Sequence, residues 1–176
     1  MAEPVDDWRV ETMAMDITEI LDGHVYLSSW GAAASWDTLR MFNITHVLSL
    51  TPDYPCKFPD WITYLHHPVD DHPSTNLIEF FPKAFEFIDD AKAKSGGVLV
   101  HCNAGVSRSP TVVIAYVMKS LQTPLSEAIE CVRSKRSCAY PNQGFMDQLR
   151  LYETHLFGRS SVSDMDAKVQ DMKYIL

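Results

Sequence analysis

The sequence predicts an α/β fold, with a central, mostly parallel twisted sheet of about five strands flanked by helices. Three observations predict it. The segment VLV (residues 98–100) is continuously apolar and ITHVLSL (44–50) is rich in β-branched and apolar residues, as in strands buried on both faces of a parallel sheet. Segments of helical period lie between and after these runs, so strands and helices alternate along the chain. The length of 176 residues, with 46% hydrophobic and 22% charged side chains, suits one domain with its own core.

Residues 1–16 are acidic, have no clear period and read as an N-terminal arm. The folded domain is expected over 17–158, followed by a polar tail over 159–176. Asp22-Gly23 is a turn pair before the β-like run Val25-Tyr26-Leu27. Ser35 is placed to cap a helix presenting Trp36, Leu39, the stem of Arg40 and Phe42, with Asn43 closing it. After the strand at 44–50 come turn residues, then WITYL (61–65) as a further strand. Apolar residues at 77, 80, 81, 84, 85, 88 and 91 give a helix, with Asn76 as cap. Pro82 predicts either a kink or a regular start nearer Phe80, because an interior proline removes a hydrogen bond. Gly96-Gly97 breaks this helix before the strand 98–100. A helix follows over 109–120, with Pro110 in its first turn, then two more at 126–135 and 144–156. The tail reads as polar and weakly helical to Met172.

Charge and composition exclude several classes. Fifteen basic against twenty-three acidic residues leave −8, which argues against a nucleic-acid partner. No apolar run approaches the roughly 20 residues that cross a bilayer. The first residues show no secretory pattern, so the expected location is the cytoplasm, with the nucleus as a second compartment. Cys56, Cys102, Cys131 and Cys138 form no CxxC pair and no finger-like ligand set, so neither a disulfide framework nor a metal is expected. Three of them read as small buried hydrophobes.

Cys102 stands apart because of its setting. The strand VLV runs into His101-Cys102, then Asn103, Ala104, Gly105, Val106, Ser107, Arg108, Ser109 and Pro110. A strand, a short loop with Gly and a helix N-terminus make an anion site, since successive peptide N–H groups can point inward and the helix adds its positive end. Arg108 can grip two phosphate oxygens with one planar fork. A thiol at a helix N-terminus beside a guanidinium is favoured as the thiolate, its nucleophilic form. The Gly-Lys-Ser/Thr ending of nucleotide-binding P-loops is missing.

HCNAGVSRSP resembles the active-site loop of cysteine-dependent protein phosphatases, specifically the dual-specificity group of small atypical type without an extra docking domain. ITEILDGHVYLSS, ITHVLSLTP, NLIEFFPKAFEFIDDAK, TVVIAYVM and PNQGFMDQL are similar to that group's other elements, so the resemblance spans residues 17–157. It implies Cys102 as nucleophile, Arg108 and the amides of residues 103–108 as phosphate ligands, and Ser109 as a hydrogen-bond donor to the departing thiolate. It also implies an Asp general acid shortly ahead of an Asn-Leu pair. PVDDHPSTNL offers Asp70 and Asp71, and the spacing to Asn76 favours Asp71. His101 is expected to orient the loop or sit in the core, and Asn142 to tie loops together behind the site.

The resemblance implies hydrolysis of phosphotyrosine and phosphoserine or phosphothreonine without a cofactor. Phosphorylated proteins are the expected partners, with mitogen-activated protein kinases or their pathway components among them. Two alternatives stand beside this reading. One is a noncatalytic phosphoprotein-binding scaffold, which would keep Arg108 but lose Cys102 or Asp71. The other is a phosphatase of phosphoinositides or glucans. The cluster Arg133-Ser134-Lys135-Arg136 reads as a solvated helix face, with steering of acidic partners as its alternative.

Overall fold

The structure is a computed structural model that describes residues 16–54 and 56–162. Residues 1–15 of the expected arm and 163–176 of the expected tail lie outside it. Five strands are present among the described residues: β1 (Ile17–Leu21), β2 (Val25–Ser28), β3 (Ile44–Ser49), β4 (Thr63–His66) and β5 (Gly97–His101). Their order is β1-β2-β5-β3-β4. β2, β5, β3 and β4 run parallel, and β1 forms an antiparallel hairpin with β2 at the edge.

The central strands are buried on both faces, and their side chains alternate between two apolar layers. Val25, Leu27, Leu48, Leu50, Val98 and Val100 face the larger core. Tyr26, Val47 and Leu99 face the smaller one, with Ala32 and Leu39. The smaller layer is covered by α1 (Trp30–Ala33) and α2 (Trp36–Met41). The larger layer packs against α3 (Phe81–Ala93), α4 (Arg108–Leu121), α5 (Leu125–Lys135) and α6 (Gln143–Phe157). The chain thus crosses from β2 to β3 by one face and from β4 to β5 by the other, leaving β5 between them. The crevice at the carboxyl end of β5 is therefore the topological switch point, where ligands bind in open parallel sheets.

Local chemistry sets several boundaries. The Ser35 hydroxyl accepts a hydrogen bond from Thr38 N, and Asn43 takes a left-handed conformation (φ 50°) just past α2. A 3₁₀ turn over Ile78–Phe80 precedes α3, so Pro82 falls in the first turn of the regular helix and introduces no interior break. Asn76 Oδ1 accepts from Glu79 N across that 3₁₀ turn.

Three expectations change. The strand expected over 61–65 begins at Thr63, with Trp61 73% exposed on the preceding turn. Cys56 and Cys131 are half-buried and Cys138 is exposed, so these are not fully buried hydrophobes. The Arg133–Arg136 cluster is a solvated face only at Ser134 and Lys135. Arg133 lies over the Tyr140 ring and donates to Ala139 O, Lys135 donates to Ile20 O, and Arg136 is 5% exposed. Beyond α6, Val162 packs into the core, and Ser161 donates through N and Oγ to the buried Glu153 carboxylate.

Candidate active site

β5 delivers the chain to the switch point. Leu50 N donates to His101 O, which keeps β3 and β5 in register to the end of the strand. Cys102 follows at once and is 1% exposed, at the floor of the site rather than on an open surface. The Ser109 hydroxyl, in the first turn of α4, donates to Cys102 Sγ at 3.2 Å. That helix runs for 14 residues, so its positive end faces the loop that starts at Cys102.

The loop between them is held from outside. The Cys102 carbonyl accepts from His101 Nδ1 (3.3 Å), and the Asn103 carbonyl from Trp30 N (3.2 Å). The Ala104 and Gly105 carbonyls accept from Arg136 Nη2 (3.4 Å) and Nε (3.0 Å), and the Val106 carbonyl from Tyr140 N (2.6 Å). No described peptide is cis. A planar trans peptide points N–H opposite to C=O, so five anchored carbonyls turn the N–H groups of Asn103, Ala104, Gly105, Val106 and Ser107 inward. Gly105 makes the turn possible. It has φ +67°, and a Cβ there would lie 2.5 Å from Ser28 O and from Arg136 Nη2.

Arg108 is buried, and its Nη1 donates to Leu50 O (3.3 Å) and Val69 O (2.9 Å). Its buried Nε has no hydrogen-bond partner among the described residues. The fork is thus fixed at one corner, with the Nε side left for a ligand. His101 is 3% exposed, and burial, opposed by the bond to Cys102 O, holds its imidazole down at about 4. His66 and Arg108 push in the same direction as burial, so the ring is neutral near pH 7.

The structure brings Asp71 to this loop and leaves Asp70 exposed beside it. Asp71 Oδ1 accepts from Ser107 Oγ (2.7 Å) and Asn142 Nδ2 (2.8 Å). Oδ2 lies 3.8 Å from Arg108 Nε, and the side chain is 37% exposed. Oδ1 therefore holds two hydrogen bonds, while Oδ2 faces the Arg108 side of the site. Ser107 Oγ also accepts from Asn142 N, and Asn142 caps α6 by accepting from Phe145 N. Asn142 thereby joins three segments, the Asp71 loop, the Ser107 loop and α6.

Sequence reasoning missed several supports. The Ser107 side chain was read only as part of the loop. Gln148 accepts from Leu77 N and Ile78 N and donates to Thr75 O, fixing the exit of the Asp71 segment to α6. Its signal was present, since a glutamine three residues after the buried Phe145 falls on the same helix face. The pairing of Asp16 with Arg136, and with it the support Arg136 gives the loop, was missed, because 120 residues separate the two.

Comparison with known proteins agrees with the geometry. The family described as "Dual specificity phosphatase, catalytic domain" matches residues 25–155. The chain belongs to this family. Human dual specificity protein phosphatase 7 is 40% identical over 153 residues, covering 86% of this chain and 36% of that protein. Dual specificity protein phosphatase 1B of Arabidopsis thaliana is 41% identical over 145 residues, covering 82% of this chain and 86% of that protein. The chain thus spans about a third of the human relative and most of the plant one. Among solved structures, the human tyrosine phosphatase-like serine/threonine/tyrosine-interacting protein superposes with a TM-score of 0.74 at 36% identity, covering 79% of this chain and 96% of that one. The dual-specificity phosphatase domain accounts for the five-stranded sheet and its flanking helices.

Proposed function

We propose that this protein hydrolyses phosphate monoesters on proteins, at phosphotyrosine and at phosphoserine or phosphothreonine, by two displacements at Cys102. The observation that carries this reading is the ring of inward peptide N–H groups closing over a sulfur at the N-terminus of α4. In the first step the Cys102 thiolate attacks phosphorus in line. An S–P bond forms, the ester P–O bond breaks, and Asp71 gives the proton on Oδ2 to the departing oxygen. In the second step a water molecule loses a proton to Asp71 and attacks phosphorus. The S–P bond breaks, its electron pair returns to sulfur, and inorganic phosphate leaves. The Ser109 hydroxyl stabilises the returning thiolate. The loop amides and Arg108 Nε hold the equatorial oxygens throughout, where charge is greatest.

Substrates are phosphorylated proteins in this reading, and the family resemblance puts mitogen-activated protein kinases first among those to try. The segment between β4 and the 3₁₀ turn is only 67–77, which makes shallow walls that admit long and short phosphorylated side chains.

Turnover of aryl phosphates tests the reading. Cys102→Ser is expected to lower kcat by about 10⁴ or more. Asp71→Ala should slow phenyl phosphate by about 10²–10³, but an activated aryl phosphate by less than about threefold. Equal slowing of both would remove Asp71 from the acid role. Wild-type protein that binds phosphopeptides without turnover would replace the enzyme with a scaffold. Faster phosphate release from phosphoinositides or glucan than from phosphopeptides would move the substrate class.

A further inference from the structure

Of the five anchored carbonyls in the loop, two depend on one side chain. Trp30 and Tyr140 hold Asn103 and Val106 through their own backbones, and His101 holds its neighbour. Among the described residues, Ala104 and Gly105, at the crown of the loop, rest on Arg136 alone. These are also the peptide units that glycine leaves freest to rotate. Either unit, if flipped, would replace an inward N–H by an inward carbonyl oxygen, which repels both a phosphate and a thiolate.

Arg136 is built for this task. All five of its N–H donors are used: Nε on Gly105 O, Nη1 on Asp16 Oδ1 (2.8 Å) and Thr18 Oγ1 (3.2 Å), and Nη2 on Asp16 Oδ2 (3.0 Å) and Ala104 O. Asp16 in turn accepts from Ser29 N at 3.0 Å, at the end of β2. The guanidinium is therefore fixed on one side by a carboxylate and presents its remaining edge to the loop. Its charge is answered by Asp16, so it acts on the site by orienting peptides rather than by attracting an anion directly.

We propose that Arg136, locked by Asp16, is the positioning residue that keeps the Gly105 and Val106 N–H groups turned into the oxyanion site. This rests on the phosphatase reading of that site. A lysine keeps the positive charge but offers three donors from one point, so it cannot span Asp16 and both carbonyls. Arg136→Lys is therefore expected to weaken binding of tungstate, measured by calorimetry and by competition against an aryl phosphate, by about tenfold or more. KM for the aryl phosphate should rise with it, and iodoacetamide should alkylate Cys102 more slowly. Asp16→Asn, the milder change, should weaken tungstate by a few-fold in the same direction.

All measurements are made well below each variant's thermal midpoint, and the amide NMR signals of Gly105 and Val106 report the loop directly. In the wild type both should shift on adding tungstate, and in Arg136→Lys both should start displaced and respond less. Arg136→Lys with wild-type tungstate affinity and wild-type amide shifts overturns the proposal. So does tighter tungstate binding by Asp16→Asn, which would mean that the guanidinium acts as a bare charge. Wild-type protein that hydrolyses aryl phosphate while Arg136→Lys does so equally sinks this inference alone. Wild-type protein that neither binds tungstate nor turns over sinks the phosphatase reading with it.

Discussion

The two segments that meet at the site are fixed by different means. Residues 102–107 are clamped from beneath by backbone N–H groups of Trp30 and Tyr140, by a buried histidine and by a buried arginine. The Asp71 segment is more exposed and is held largely by side chains that arrive from elsewhere, namely Ser107, Asn142 and Gln148. The difference teaches where each half's function is vulnerable. The cradle around Cys102 is expected to fail through backbone geometry, with binding and stability falling together. The placement of Asp71 is expected to fail through single side chains, with turnover falling while anion binding survives.

The largest effect should come from breaking the first half at its turn. Gly105→Ala forces a side chain into φ +67° and sets its Cβ 2.5 Å from the Ser28 carbonyl oxygen and from Arg136 Nη2. The strand end cannot retreat, because β2 is paired with both β1 and β5. Strain and overlap together should cost about 3 kcal/mol of stability. Displacement of the loop should lower kcat/KM by at least about 100-fold. Urea unfolding and aryl phosphate kinetics check the two numbers. A variant with near wild-type stability and turnover would mean that the loop tolerates another geometry.

The second prediction concerns the buried histidine under the same half. The folded imidazole of His101 is held down to about 4 from an ordinary 6.5, chiefly by burial. Between these values the unfolded chain carries a proton on this residue and the folded chain does not. Stability therefore rises with pH across the window, is complete above about pH 6.5, and is lost as pH falls toward 4. The span of about 2.5 units corresponds to about 3 kcal/mol. His67, also held below its ordinary value by partial burial, adds to the slope. Unfolding midpoints of wild type and His101→Gln between pH 4.5 and 7 separate the two. The variant should lose most of the dependence, and equal slopes would place the proton elsewhere.

How much of this was legible in the sequence follows the same division. The strand, the loop from His101 to Pro110 and the helix after it are consecutive, so their residue types and spacing pointed to the candidate anion site. The buried strands and the Ser35 cap were legible for the same reason, being local patterns of burial and hydrogen bonding. β1 carried no strand signal of its own, since Ile20 alone in it is fully buried and its pairing comes from β2. Trp61 was drawn into a strand by its β propensity, but tertiary packing leaves it on the surface. The Arg136–Asp16 pair was illegible because burial of a charge depends on a partner 120 residues away. In a basic run viewed alone, nothing separates a solvated arginine from one that supports a loop.

The smallest predicted effect sharpens the second half. Gln148 Oε1 accepts from Leu77 N at 2.7 Å and Ile78 N at 2.8 Å, and Nε2 donates to Thr75 O at 2.8 Å. Gly144 comes so close to Pro73 that a Cβ would fall 1.9 Å from its carbonyl oxygen, so α6 touches the segment at two levels. Gln148→Ala leaves the buried Leu77 N–H without its acceptor and should cost about 1–3 kcal/mol. Gln148→Glu still accepts from both N–H groups, beside the positive end of the 3₁₀ turn, but cannot donate to Thr75 when ionised. It should retain most of the stability while slowing phenyl phosphate by about threefold to tenfold, as the Asp71 segment loses one of its anchors. Tungstate affinity should stay at the wild-type value in both variants, because the cradle at 102–107 draws no bond from Gln148. Loss of tungstate binding in step with turnover would show that the two halves are one mechanical unit and dissolve the distinction between them.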